Sequence, residues 1–253
     1  MKKLRNLLFL IILGSLVLGG CASGLSGTSW PGITIDGKTA YLANQSFVIA
    51  VDTATGAQQW RYPEKGSRTM YYAAPDILGD QLIVGDYKDS LYSLNKSTGA
   101  QNWAFKANGQ WVASALILND TIYAPNSDHY LYALDKSGNL LWKFQAEKSL
   151  WSQPVTDGTT LFVSALDHNL YAINPKDGSK IWATNLGGAV VYAPSLSADN
   201  STLYVTTLAN EVLALNAKDG AIIWRKPYQT SLWSQPVIMG ENLIFGDLSG
   251  NVY

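Results

Sequence analysis

The sequence predicts an all-β chain that folds as a β-propeller, a ring of four-stranded antiparallel sheets called blades. The first observation behind this prediction is a repeat, because residues 131–142, LYALDKSGNLLW, have four close copies elsewhere. The copies end at tryptophans that follow one another after 43, 39, 40 and 42 residues, namely Trp60, Trp103, Trp142, Trp182 and Trp224. The second observation is that short strand-like runs fill each period, and no long segment has the 3.6-residue period of a helix. Four short strands every forty-odd residues are typical of propeller blades.

The chain begins with a predicted export signal, residues 1–20. Lys2, Lys3 and Arg5 precede an uncharged apolar run at residues 7–18, which is the arrangement of a secretory signal peptide. A helix of that length would span about 18 Å. The hydrocarbon core of a bilayer is roughly 30 Å thick, so a transmembrane helix is the weaker alternative.

The end of this signal, LGGC at residues 18–21, resembles the lipobox of bacterial lipoprotein precursors, in which the cysteine becomes the acylated first residue. The match predicts that Cys21 carries fatty acyl chains such as palmitate. The lipid would anchor the protein to a bacterial membrane on its periplasmic or outer surface, and residues 22–29 would form a short tether of small and polar residues. The alternative is an ordinary signal peptide that happens to end at a cysteine.

Charge and cysteine content narrow the partners of the remaining 233 residues. Removal of residues 1–20 moves the formal net charge from −1 to about −4, so the folded part has no basic footprint for nucleic acid or an anionic membrane surface. Cys21 is the single cysteine in the chain. No thiol is left for a disulfide or a cysteine-ligated metal, and we expect packing alone to hold the fold.

The predicted propeller covers residues 30–253, and its blades follow one plan. A segment of the WSQPV type opens a blade at residues 151–155 and 233–237, with looser copies at 72–75, 111–114 and 191–194. A short apolar strand follows, and the repeat core supplies the third and fourth strands. We therefore expect five complete blades. Residues 250–253 align with 168–171, so we expect a sixth blade truncated in its third strand and a propeller that is incomplete at its C-terminus. An open array of β-sandwiches is the disfavoured alternative, because a ring covers both apolar faces of each blade.

Each repeat core predicts a strand, a tight turn and a strand. An Asp or Asn that can bond the following backbone in an Asx-turn opens the turn, at Asp52, Asn95, Asp135, Asn174 and Asn216. A glycine then supplies the positive φ of a tight hairpin, at Gly56, Gly99, Gly138, Gly178 and Gly220. In the third copy the glycine comes one residue earlier, so we expect a shorter turn.

The tryptophan four residues beyond each glycine can bury about 200 Å² and so lock one hairpin against its neighbour. We expect removal of Trp142, which has blades on both sides, to cost about 3 to 5 kcal/mol. Removal of Trp60, in the first blade, should cost less.

The repeat Y-A-[LI]-[DN]-x-x-[TDS]-G-x-x-x-W resembles the tryptophan-docking repeat of the PQQ-like propeller superfamily. This superfamily includes the quinoprotein alcohol dehydrogenases and the lipoprotein B subunit of the outer-membrane β-barrel assembly machinery. The resemblance implies the propeller fold over residues 30–253 and is nearly silent on function. Quinoprotein dehydrogenases hold PQQ with a vicinal cysteine disulfide, and this chain has no cysteine after Cys21. We therefore expect no cofactor, no bound metal and no catalytic residue.

Two further sets of side chains are weaker candidates for binding. Asp128, His129, Asp167 and His168 lie in equivalent turns of neighbouring blades and could form a metal site, but other residues fill the histidine position in the other copies. Generic turn chemistry is the favoured interpretation. Gln153 and Gln235 could line the channel, although an innermost strand of an ordinary blade explains them as well.

The leading functional hypothesis is a non-catalytic, membrane-anchored lipoprotein that holds envelope proteins with its rim loops, as in outer-membrane protein assembly. The contacts would map near Asp86, Asp128, Asp167 and Asn210. One alternative is a PQQ-dependent dehydrogenase. Another is a surface lipoprotein that binds carbohydrate or another ligand through exposed aromatic residues, at Trp111, Trp151, Tyr192 and Trp233.

Overall fold

The computed structural model describes residues 32–66 and 68–253. The described residues form strands, turns and bends without an α-helix, so none of them forms an apolar helix long enough to cross a membrane. The predicted signal, Cys21 and the predicted tether lie outside the described residues.

Five four-stranded antiparallel sheets follow one another along the chain, each built from consecutive strands. The first blade contains β1 (Gly32–Asp36), β2 (Thr39–Asn44), β3 (Phe47–Asp52) and β4 (Gln58–Tyr62). The second contains β5 (Asp76–Leu78), β6 (Gln81–Gly85), β7 (Ser90–Asn95) and β8 (Gln101–Lys106). The third contains β9 (Leu116–Leu118), β10 (Thr121–Pro125), β11 (Tyr130–Asp135) and β12 (Leu140–Gln145). The fourth contains β13 (Val155–Thr156), β14 (Leu161–Ser164), β15 (Asn169–Ile173) and β16 (Lys180–Asn185). The fifth contains β17 (Ser195–Leu196), β18 (Thr202–Thr206), β19 (Glu211–Asn216) and β20 (Ile222–Pro227).

A sixth sheet contains β21 (Val237–Met239) and β22 (Asn242–Ile244). Beyond β22, Phe245 and Tyr253 exchange backbone hydrogen bonds of 3.1 and 2.9 Å, which begin the pairing of a third strand. The structure therefore confirms an all-β propeller architecture, with five four-stranded blades and a sixth sheet of two strands and the beginning of a third.

Apolar side chains fill the space between neighbouring blades. In β11 the consecutive residues Leu131, Tyr132, Ala133 and Leu134 are all buried, because this strand packs against the preceding blade with one face and the following blade with the other. The first strands of neighbouring blades approach each other, as β5 approaches β9 and β13 approaches β17. The short first strands thus lie around the axis, and the fourth strands form the circumference.

Two kinds of turn lie on opposite faces of the ring because the strands are antiparallel. We call the turns between the third and fourth strands the hairpin turns, and those between the second and third strands the rim turns. The rim turns share their face with the loops that connect one blade to the next.

Candidate interaction site

The tryptophan that ends each of the first four repeats contacts the blade that follows it in the chain. The indole Nε1 donates a hydrogen bond to a backbone carbonyl in the next hairpin turn. These pairs are Trp60 to Lys96 at 3.1 Å, Trp103 to Lys136 at 3.0 Å, Trp142 to Pro175 at 3.1 Å and Trp182 to Ala217 at 3.2 Å. Each joint between complete blades therefore has the same direction along the chain.

The hairpin glycine that receives the indole satisfies two separate requirements. Gly178 has a φ of +73°, a region that L-residues with a Cβ rarely adopt. A Cβ at this position would also lie 2.5 Å from Cε3 of Trp142. Gly56 has a similar φ of +71°, but no atom lies within 4 Å of where its Cβ would be. Gly56 therefore meets the backbone requirement alone, because no described indole docks on the first hairpin.

The direction of docking overturns the expectation that Trp60 is the weakly held tryptophan. Trp60 is only 8% exposed, whereas Trp224 is 41% exposed. The reason is that a tryptophan needs the hairpin of the following blade, not of the preceding one. Trp60 contacts the hairpin turn of the second blade. The sixth sheet has two strands, so among the described residues it has no turn between a third and a fourth strand on which Trp224 could dock.

The hairpin turns have the predicted Asx geometry. Oδ1 of Asn95, for example, accepts hydrogen bonds from the backbone N–H groups of Ser97 and Thr98, both at 3.0 Å. In the third blade the N–H of Asp135 bonds the carbonyl of Asn139, four residues on, whereas Asn95 bonds Ala100, five residues on. The third hairpin turn is thus one residue shorter, as its spacing predicts.

A carboxylate that binds a tyrosine hydroxyl closes four of the rim turns, a feature that the sequence analysis did not identify. The carboxylate Oδ2 accepts the hydroxyl in each case. The pairs are Tyr92 with Asp86 at 3.1 Å, Tyr132 with Asp128 at 2.7 Å, Tyr171 with Asp167 at 2.7 Å and Tyr253 with Asp247 at 2.9 Å. The fifth blade has Thr207 at the position of Asp86, Ala209 at that of Asp128 and Asp167, and Leu213 at that of the tyrosine, so it lacks both partners.

This pairing turns the rim carboxylates towards the protein. Asp86 is 2% exposed, and its Oδ1 also accepts three backbone N–H groups at 2.9 to 3.0 Å. Burial, with the nearby charge of Asp86, raises the pKa of Tyr92 to about 12, so the phenol stays a hydrogen-bond donor. Partner contacts on this rim turn would come from its exposed neighbours Tyr87 and Lys88 instead of the carboxylate.

The two histidines occupy the position of the rim turn that requires a positive φ. His129 and His168 have φ values of 79° and 73°, and Asn210 has 67° at the same place in the fifth blade. The carbonyls of all three accept a backbone N–H from the start of the next connection, at 2.7 to 2.9 Å. Within residues 32–66 and 68–253, no three His, Cys, Asp or Glu side chains lie close enough to hold a metal.

The aromatic residues proposed for ligand binding do not form one surface. Trp111 is 1% exposed and packs against Phe105 and Tyr132 in the core, so its predicted exposure is wrong. Tyr192 and Trp233 do meet, edge to face, with ring centroids 6.1 Å apart. Trp151 is half-buried.

Near the axis, Gln153 joins three blades. Its Nε2 donates to the carbonyl of Ala115 at 2.6 Å and lies 3.4 Å from Oδ1 of Asp76. The other oxygen of Asp76 is buried and has no hydrogen-bond partner among the described residues. Burial raises the pKa of this carboxyl to about 8. Gln235, the other predicted channel residue, is exposed and does not take part.

These joints define the class of the protein, a tryptophan-docking β-propeller of the PQQ-like type. The chain belongs to the family described as outer membrane protein assembly factor BamB, whose sequence model matches residues 44–151 and 127–253. This match confirms the resemblance drawn from the repeat.

Relatives with assigned names share only part of their length with this chain. Tetrathionate hydrolase of Acidithiobacillus ferrooxidans is 27% identical over 69% of this chain and 33% of its own length. BamB of Nitrosomonas eutropha is 24% identical over 71% of this chain and 44% of its own length. The chain thus spans less than half of either relative.

Solved structures share the fold at low identity. BamB from Moraxella catarrhalis superimposes with a TM-score of 0.74 and 20% identity, over 88% of this chain and 71% of that one. A chain of the mitotic checkpoint complex gives a TM-score of 0.71 at 11% identity, over 85% of this chain and 69% of that one. Such different proteins with one architecture show that the likeness establishes the fold and not the activity.

Proposed function

We propose that the protein is a non-catalytic scaffold of the bacterial cell envelope that holds protein partners during the assembly of outer-membrane proteins. The observation that carries this proposal is the family match over residues 44–253. The geometry supports it, because the carboxylates of Asp86, Asp128 and Asp167 are bound within their own turns. A rigid ring with exposed loops and outer strands is suited to binding other proteins.

The proposal includes a lipid anchor on Cys21. The export signal at residues 1–20 and the lipobox at 18–21 support it. Acylation would hold the propeller at a membrane, on the extracytoplasmic side, with residues 22–29 as the tether. With this anchor, the proposed partners are envelope proteins, and nucleic acid is not among them.

Complementation tests the scaffold role. The protein is expressed in a bacterium from which the BamB gene has been deleted, and outer-membrane barrel proteins are quantified in purified outer membranes. We expect their level to be restored by the wild-type chain and less so by Cys21→Ser, because the variant would lose its lipid and leave the membrane. Incorporation of an alkyne-labelled palmitate into the wild type, and its absence from Cys21→Ser, checks the anchor separately. If the wild type is labelled and membrane-bound but restores nothing, the role in assembly is refuted while the anchor stands.

Enzymatic alternatives have their own readouts. The similarity to a tetrathionate hydrolase favours an assay of tetrathionate consumption by the purified protein. PQQ with Ca²⁺ is the test for a quinoprotein dehydrogenase, because a ligand at a hundred times its dissociation constant adds about 2.7 kcal/mol of stability. We expect no consumption of tetrathionate, no change in melting temperature and no dye-linked oxidation of an alcohol. Turnover in either assay would replace the scaffold proposal.

A further inference from the structure

Every complete blade has a bulge in its outermost strand, directly before the tryptophan that ends the repeat. In the third blade Trp142 pairs with Ala133 and Leu140 pairs with Leu134, which leaves Leu141 without a partner. The same shift occurs in the other four blades. The unpaired residues are Gln59, Asn102, Leu141, Ile181 and Ile223. A bulge re-aims the side chain that it carries, and all five are exposed.

The polarity of the bulge residue changes around the ring. The first two blades present amides, Gln59 and Asn102, which suit a surface in water. The third and fourth present aliphatic side chains that are 54% exposed at Leu141 and 52% exposed at Ile181. Both of these blades have complete neighbours, so the exposure does not come from a missing blade. Ile223 is set aside, because the sheet that follows it has only two strands.

Leu141 and Ile181 line one groove between the third and fourth blades, with a volume of about 590 Å³. The indole of Trp142 and the ring of Pro175 contribute further apolar surface. Ile181 also lines a second groove of about 230 Å³, between the fourth and fifth blades. An exposed apolar surface in a recess is a mark of an interaction site.

Lysines stand at the edges of the two grooves. Lys176 lines the first groove and Lys218 the second, and Lys180 stands directly before Ile181. Among the described residues none of the three lysines forms an ion pair. The nearby carboxylates are engaged locally. Asp177 accepts the N–H and hydroxyl of Ser179 at 2.9 and 2.6 Å, and Asp157 accepts the N–H groups of Thr159 and Thr160, both at 2.7 Å.

We propose that the groove between Leu141 and Ile181 binds a segment of a partner protein that presents a bulky apolar side chain flanked by carboxylates. The apolar side chain would lie between the two aliphatic residues, and its carboxylates would meet Lys176 and Lys180. The recess favours a protruding side chain over a flat bilayer surface. The unpaired lysines favour a segment that carries carboxylates. The inference rests on the proposed scaffold function and names the chemistry of its partner.

Binding is measured on the purified protein and does not depend on assembly in cells. The probe is a fluorescein-labelled peptide, GEDLFEDG, and binding is followed by fluorescence anisotropy. Two comparison peptides replace the acidic residues by lysine, GKKLFKKG, or the apolar pair by serine, GEDSSEDG. We expect saturable binding of the first peptide that weakens with added salt, and at least about tenfold weaker binding of the other two.

Glutamine is chosen as the replacement because Gln59 already occupies the equivalent bulge in the first blade. Leu141→Gln with Ile181→Gln should weaken binding by about tenfold or more, and Lys176→Glu should weaken it as well. The matched control, Gln59→Ala, changes a bulge away from the groove and should leave binding unchanged. All these side chains are exposed, so melting temperatures should stay close to that of the wild type.

Several results would overturn the proposal. The first is no saturable binding of the acidic peptide, and the second is binding that the paired glutamine variant leaves unchanged. A third is self-association in light scattering that the same variant abolishes, which would make a second copy the occupant. A fourth is variant-sensitive binding to anionic phosphatidylglycerol vesicles without peptide binding. Restoration of outer-membrane proteins in the deletion strain is unaffected by any of these outcomes and reports on the scaffold role alone.

Discussion

Removal of a docked indole should cost far more stability in the middle of the ring than next to the truncated sheet. Trp142→Ala deletes a ring that packs against Tyr123, with centroids 5.7 Å apart, and against the hairpin of Gly178. It also leaves the carbonyl of Pro175 without its indole donor. Removal of a fully buried aromatic costs about 3 to 5 kcal/mol, of which the hydrogen bond accounts for about 1 kcal/mol. Because Trp142 is only partly buried, we expect a loss near the lower end, about 3 kcal/mol.

Trp224→Ala is the matched control, because Trp224 occupies the same position in the fifth blade without a following hairpin. Its ring is 41% exposed and retains the contact with Tyr204, at 6.1 Å. We expect a loss of about 1 kcal/mol, the usual scale for a single substitution without a cavity. Trp60→Ala should resemble Trp142→Ala, since Trp60 docks on the second blade.

Urea titration followed by circular dichroism measures the three losses. A change in midpoint with an unchanged slope reports a change in stability. Trp142→Phe removes the indole N–H and part of the ring but keeps an aromatic side chain, so its loss should fall between the wild type and Trp142→Ala. Equal losses at Trp142 and Trp224 would refute the idea that the following hairpin is the main source of the stabilisation.

Three further changes test other features. Gly178→Ala should destabilise the fold more than Gly56→Ala, because both meet a positive φ but only the first places a Cβ against an indole; equal losses by urea titration would contradict this. Asp76→Asn should remove a pH dependence of stability. Because burial raises the pKa of Asp76 to about 8, the folded state keeps a proton between about pH 4 and pH 8 that the unfolded state has released. Wild-type stability therefore falls as pH rises through that window, by at most about 1.4 kcal/mol per pH unit. Urea titrations at pH 5 and pH 8 should show the variant gaining on the wild type at the higher pH, and a constant difference would exclude the effect. Tyr171→Phe should cost about 1 to 2 kcal/mol by loss of the bond to Asp167, and thermal unfolding without a shift would show that the pair contributes nothing.

Local patterns in the sequence were sufficient to predict the blades and their turns. Alternation of side chains, the Asx residues and the glycines act within one hairpin, so their consequences can be read along the chain. The direction of docking could not be obtained this way. The spacing of the tryptophans is the same whether Trp60 reaches the blade before it or the blade after it.

The aromatic residues show a second limit. In the sequence Trp111 and Trp151 both stand at the start of a blade. When the blades are aligned on their strands, Trp111 corresponds to the buried Leu150, and Trp151 stands one residue later. A shift of one residue in a strand moves a side chain to the opposite face. The rim pairs were hidden for a related reason, because the acid sits two residues later in the third and fourth blades than in the second. The recurring tyrosine, as at Tyr92 and Tyr171, was the signal that could have revealed them.

The uniform direction of the joints makes the blades interchangeable parts. Each complete joint combines the indole of one blade with the glycine hairpin turn of the next. A middle blade carries one docking indole and one hairpin turn that receives an indole. Deletion of a whole blade, from one tryptophan to the next, would therefore bring an indole against a hairpin turn of the same kind. Among the described residues no indole docks on Gly56, and Trp224 docks on no hairpin turn. Head-to-tail contacts of this kind close as a ring or continue without limit, so gain or loss of a whole blade keeps the indole–glycine contact at each joint and changes the angle between neighbouring blades.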